Sequence, residues 1–167
     1  MINTNIRKIK LIVRGAVNSL LFKLLYRRGF DSSKTIVIFG SIRSGSTWLA
    51  EIISSLDGCL QIFEPLHPDY VQEVKKHIPE RNKYVPADED WPVGLSIFNK
   101  IVSGKMINAW TMSQAPLLKI FTTNRLVVKF VRGNLLLEWF AKNIAVLPPV
   151  LVIRHPCAII ASQINKR

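Results

Sequence analysis

The sequence predicts an α/β protein: a parallel sheet with helices on both faces. Three observations carry that expectation. Short runs of strand length alternate with segments of helical period. The runs are apolar throughout rather than at every second residue, as strands covered on both faces are. And a glycine-bearing turn joins the first run to the helix that follows it. In such sheets ligands bind beyond the carboxyl ends of the strands.

The elements follow in order. Ile6, Ile9, Val13, Val17, Leu20 and Leu24 recur at helical spacing and predict an amphipathic N-terminal helix. Its basic residues are spread round the helix. The ordinary reading is a helix packed on the domain with its charges solvated; the other is a helix lying on a membrane surface. Residues 1–33 thus form a basic amphipathic segment ending in the linker "FDSSK" (30–34), and 34–167 a single domain. "TIVIF" (35–39) is the first strand, and Thr47 to Leu56 a helix with Leu49, Ile52 and Ile53 inward. "CLQIF" (59–63) is the second strand, followed by the loop "EPLHPDY" (64–70) and a short helix over 71–78. Residues 79–94 read as a long polar loop, a length that is often functional. Residues 95–121 read as partly helical. "RLVVKFV" (125–131) is the third strand, 134–144 a helix, and "PVLVIR" (149–154) the fourth strand. Pro156 opens a last helix in the first turn, where a missing N–H does no harm.

Composition narrows the partner. The chain has 167 residues, 49% hydrophobic and 20% charged, as a globular core requires. Its net charge of +12 points to an anionic partner without choosing one. Cys59 and Cys157 make no disulfide framework and read as two buried thiols in a reducing compartment. No secretory signal and no clean membrane span is evident, so the expected location is cytoplasmic, with the N-terminal segment as the candidate for peripheral membrane contact.

The strand ends bring polar groups together: the loop from Gly40 to Thr47, Glu64, Lys129 with Arg132, and Arg154. The loop, "GSIRSGST", has the frame of a phosphate-binding loop, but Ser46 stands where the lysine would. Gly40 and Gly45 permit backbone angles that turn successive N–H groups inward as an anion nest. Ser44, Ser46 and Thr47 add hydroxyls, and Arg43 adds a full charge. Lys129 is unusual inside an apolar strand; it either reaches the site or snorkels at a sheet edge.

"RSGSTWL" resembles the 5′-phosphosulfate loop of sulfotransferases that use 3′-phosphoadenylyl sulfate (PAPS). "VIRHPCAIIASQ" resembles that family's 3′-phosphate motif, with Arg154, Pro156 two residues on and Ser162 eight residues on. "FEPLH" (63–67) and "VVKFVR" (127–132) are similar to the membrane-associated, carbohydrate-type branch; the cytosolic branch would have histidine where Val131 stands. The resemblance runs from Thr35 to the C-terminus, weakly in the middle.

The resemblance implies a three-layer sandwich with the nucleotide-kinase-like P-loop fold. It implies PAPS as co-substrate without a metal, a carbohydrate or glycolipid hydroxyl as acceptor, and no nucleic acid. Ser41, Arg43, Ser44, Gly45, Ser46, Thr47 and Trp48 would hold the 5′ end, though Trp48 serves equally as a core residue. Arg154 and Ser162 would pair on the 3′-phosphate. Arg43 and Lys129 would neutralise charge during transfer. Glu64 is either the general base or a structural carboxylate paired with Arg43 or Lys129, and His67 is the rival base. His77 reads as solvated, and His155, where many members have aspartate, as structural. The family pattern continues with further helices, a fifth strand and a glycine- and lysine-containing loop; the sequence ends at Arg167, so the expectation is a partial domain with weakened donor binding and doubtful turnover by itself. Two other readings stand beside this one: an atypical P-loop kinase or NTPase, and a non-enzymatic basic module for nucleic acid or membrane.

Overall fold

A computed structural model describes residues 2–80 and 83–164, with the side chains of residues 2–8 outside the description. The expected α/β architecture is present. Four strands, β1 (Ile36–Gly40), β2 (Cys59–Phe63), β3 (Arg125–Phe130) and β4 (Val150–Val152), form one sheet in the order β2-β3-β1-β4. Every neighbouring pair is parallel. Helices α1 (Ile2–Leu25), α2 (Ser46–Ser55), α3 (Gln72–His77), α4 (Pro92–Val102), α5 (Leu117–Thr122), α6 (Leu137–Asn143) and α7 (Pro156–Ile164) flank it.

The two sheet faces build two cores, as continuous apolar strands dictate. On the larger face Val37, Phe39, Leu60, Ile62, Val128 and Phe130 pack with Phe98 and Ile101 of α4 and with Trp139 and Phe140 of α6. On the other, Ile38, Cys59 and Val127 meet Ala50, Leu49 and Ile53 of α2. Alternation along β3 puts Lys129 on this second face, beneath the start of α2. β3 lies between β2 and β1, so Lys129 has no sheet edge at which to snorkel.

Most element boundaries agree with the sequence reading to within two residues. The weakly read 95–121 segment resolves into α4, an irregular stretch and α5. α4 begins at Pro92, which shortens the expected loop; Pro sits well in a first helical turn. That loop is tied down, because Trp139 Nε1 donates to the Glu89 carbonyl at 2.9 Å and Lys142 pairs with Asp88. Cys59 is buried as expected, but Cys157 is exposed on α7, so only one of the two thiols belongs to the core.

α1 packs by a face other than its apolar stripe. Phe22 joins the main core, Asn18 Nδ2 donates to the carbonyls of Ala115 at 2.9 Å and Met112 at 3.3 Å, and Tyr26 Oη donates to the Ile120 carbonyl at 2.7 Å. Gly15 permits this approach: a Cβ there would lie 1.9 Å from the Ala109 carbonyl oxygen. Ile9, Val13, Val17, Leu20 and Leu24 are left exposed. Among the described residues no helix is long and apolar enough to cross a membrane.

Candidate functional site

The loop after β1 gains its shape from two glycines used differently. Gly40 is required by proximity, since a Cβ there would meet Ser44 Oγ at 2.7 Å and Ser46 Cβ at 2.9 Å. Gly45 is required by its backbone: φ is +99° at the residue preceding α2, with open space where a Cβ would go. Arg43 also adopts a positive φ, 68°, which an arginine holds only where the surroundings impose it. The Ser46 amide donates to Ser44 Oγ at 3.4 Å, and both serines are buried. The loop thus delivers the first turn of α2, with its positive dipole end, to the carboxyl edge of the sheet.

Two side chains from neighbouring strands close on this loop. Lys129 is 1% exposed; its Nζ donates to Thr47 Oγ1 at 2.8 Å and to Glu64 Oε1 at 3.0 Å, and lies 4.3 Å from the centroid of the Phe63 ring. Burial holds the Lys129 ammonium below its ordinary pKa, a shift that the Glu64 carboxylate opposes. The loop has no lysine of its own; Lys129 from β3 reaches Thr47 at its base but does not line the cleft described below. Glu64 follows β2 with φ at 38°, and its second oxygen lies 3.3 Å from Arg132 Nη1. Arg132 Nη2 meets His67 Nε2 at 2.9 Å; a guanidinium only donates, so Nε2 accepts. His67 also faces Asp69, with Nδ1 3.7 Å from the carboxylate, and packs edge-on to Tyr70 and Trp110.

On the other side β4 lies next to β1. Arg154 Nη1 donates to the Arg43 carbonyl at 3.1 Å, and Arg43 Nε donates to Ser162 Oγ at 2.9 Å. The glycine loop and the strand-end arginine, 111 residues apart in sequence, are therefore adjacent in space. Ser162, expected to share the 3′-phosphate with Arg154, bonds here to Arg43.

A cleft of about 490 Å³ opens over these groups, lined in part by Ser41, Arg43, Gly45, Thr47, Glu64, Arg132 and Arg154. Trp48 also lines it and is 66% exposed, which removes the core alternative for that residue. Ser41 Oγ accepts from Asn134 Nδ2 at 3.2 Å. His155 sits outside the cleft lining and caps α7, its Nδ1 accepting from the Cys157 amide at 3.2 Å. His77 ends α3 and does not line the cleft.

Sequence reasoning underweighted two residues. Arg132 stands just past β3, three residues after Lys129, and holds both Glu64 and His67; its position at a strand end was the available signal. Trp110 donates from Nε1 to the Glu64 carbonyl at 3.3 Å and stacks on Tyr70 at 3.9 Å, but it comes from the irregular stretch whose fold the sequence did not announce.

No protein-family model matches the chain, and neither a curated protein nor a solved structure does.

Proposed function

We propose that the chain is a sulfotransferase domain of the P-loop type, moving a sulfuryl group from PAPS to a hydroxyl of a carbohydrate or glycolipid. One observation carries the reading: Arg154 at the end of β4 reaches the backbone of Arg43 in the glycine loop at the end of β1. A nucleotide with anionic groups at both its 5′ and 3′ positions needs two cationic sites in one cleft, and Arg43 and Arg154 both line this one.

The roles follow from the chemistry. The donor supplies the sulfuryl group. The N–H groups of Gly45 and Thr47 and the hydroxyls of Ser46 and Thr47 cradle its 5′ end, with Arg43 countering the charge that gathers on the leaving phosphate. Lys129 adds a buried cation, strengthened by the low dielectric around it. Arg154 holds the 3′-phosphate by charge-assisted donation. Glu64 takes the proton of the acceptor hydroxyl as oxygen attacks sulfur, and Arg132 and Lys129 hold that carboxylate in place. Trp48, exposed at the rim, offers a ring for the nucleotide to lie against.

The NTPase alternative meets a specific obstacle. Thr47 stands where a P-loop NTPase places its Mg²⁺-binding hydroxyl, and here that hydroxyl already accepts from the Lys129 ammonium. A divalent cation would sit against a like charge. Calorimetric titration separates the two readings. Metal-free binding of 3′,5′-adenosine bisphosphate, weakened by Arg43→Ala, is expected. Tighter binding of ATP with Mg²⁺, accompanied by turnover, would replace this reading with the kinase one.

A further inference from the structure

We infer that α1 lies in the plane of an anionic lipid surface, with its outward apolar stripe sunk among the lipids. The helix is inverted relative to an ordinary surface helix, which buries its apolar stripe. Its inner face carries one large apolar side chain, Phe22, beside small and polar ones: Gly15 meets the Ala109 backbone, and buried Asn18 is satisfied by two carbonyls. Its outer face carries Ile9, Val13, Val17, Leu20 and Leu24, from 49% exposed at Val17 to 62% at Leu20. These five fall within one narrow stripe that runs about 22 Å along the helix axis. A contiguous exposed apolar strip of this size marks an interaction surface.

Charge names the occupant. Residues 1–30 contain seven lysines and arginines and no acidic residue. On the helix, Lys10 lies about 60° to one side of the stripe's centre and Lys23 about 80° to the other. Arg27 and Arg28 are exposed in the turn that follows. An apolar stripe with cations along both borders fits an interface of acyl chains under anionic headgroups, where each lysine or arginine adds attraction. A second copy of this chain fits poorly, because residues 1–30 hold no acidic residue and so offer these cations no counter-charge. The inference is independent of the nucleotide cleft, which lies at the carboxyl edge of the sheet.

Vesicle co-sedimentation tests it, using vesicles of phosphatidylcholine and phosphatidylglycerol in equal parts and vesicles of phosphatidylcholine alone. The full chain is expected to bind the anionic vesicles, and to bind the neutral ones at least tenfold more weakly. Val13→Asp with Leu20→Asp, both on exposed positions, should lower binding more than tenfold at an unchanged melting temperature. Lys23→Gln with Arg27→Gln, which keeps the stripe, should weaken it about tenfold and flatten its salt dependence. No binding to anionic vesicles, or equal binding to both kinds, overturns the inference. So does a dimer in sedimentation equilibrium that Val13→Asp and Leu20→Asp dissociate while lipid binding is absent.

Discussion

Lys129 Nζ and Glu64 Oε1 lie 3.0 Å apart at the head of the smaller core, with the lysine almost wholly enclosed. The two partners are not equivalent. Remove the lysine, and Glu64 keeps Arg132 at 3.3 Å. Remove the carboxylate, and a buried ammonium loses its counter-charge beside the positive end of α2. Urea denaturation should show Glu64→Gln costing about 3 kcal/mol, and Lys129→Met costing less than about 1 kcal/mol or stabilising the fold. Lys129→Met should still weaken 3′,5′-adenosine bisphosphate about tenfold. Equal destabilisation by both changes, with binding intact, would make the pair a structural one.

The same lysine sets a pH dependence. Its pKa in the folded state is held below the ordinary lysine value of 10.5 by burial. Between the folded value and 10.5 the unfolded chain therefore binds more protons, so stability gained from this site rises with pH across that window. Below the window the difference is constant. Thermal melts from pH 7 to about 10.5 should show wild type gaining on Lys129→Met as pH climbs. A gain in the opposite direction would mean that the ion pair outweighs burial.

The loop glycines should fail in different ways. Gly40→Ala drives a Cβ into Ser44 and Ser46 and should abolish nucleotide binding. Gly45→Ala meets no atom within 4 Å and incurs only the strain of φ at +99°, about 1–3 kcal/mol. Melting temperature read beside nucleotide affinity separates a displaced loop from a strained one. Identical affinities for the two variants would show that the loop does not shape the site.

Trp48 offers a cleaner separation of stability from binding. It is 66% exposed at the rim of the cleft, so Trp48→Ala should leave the melting temperature within about 2 °C of wild type. Bisphosphate affinity should drop about fivefold to tenfold. An unchanged affinity would place the ring outside the nucleotide's reach.

Much of this architecture was legible from residue order. Continuous apolar runs announced buried parallel strands, and the two glycines announced a tight turn between β1 and α2, because both follow from local chemistry. Lys129 was legible as an anomaly: a cation inside an apolar strand must go somewhere. Its two acceptors, Thr47 and Glu64, depended on β3 taking the central place between β2 and β1, which no local pattern encodes. The role of Arg132 was hidden for the same reason. The N-terminal helix shows the opposite failure. Its period was correct, but the face turned inward was chosen by Gly15, Asn18 and Phe22 against the 109–115 segment, not by the stripe of greatest hydrophobicity. Trp110 came from an irregular segment, where period gives no guidance.

The central claim is that the glycine loop and Arg154 hold opposite ends of one adenosine nucleotide. Calorimetry of 3′,5′-adenosine bisphosphate against 5′-AMP, on wild type and on Arg154→Ala, tests it most directly. Wild type should prefer the bisphosphate by about tenfold or more, and Arg154→Ala should bind both nucleotides alike at the 5′-AMP level. A preference of the same size in both proteins, or none in wild type, would contradict the account.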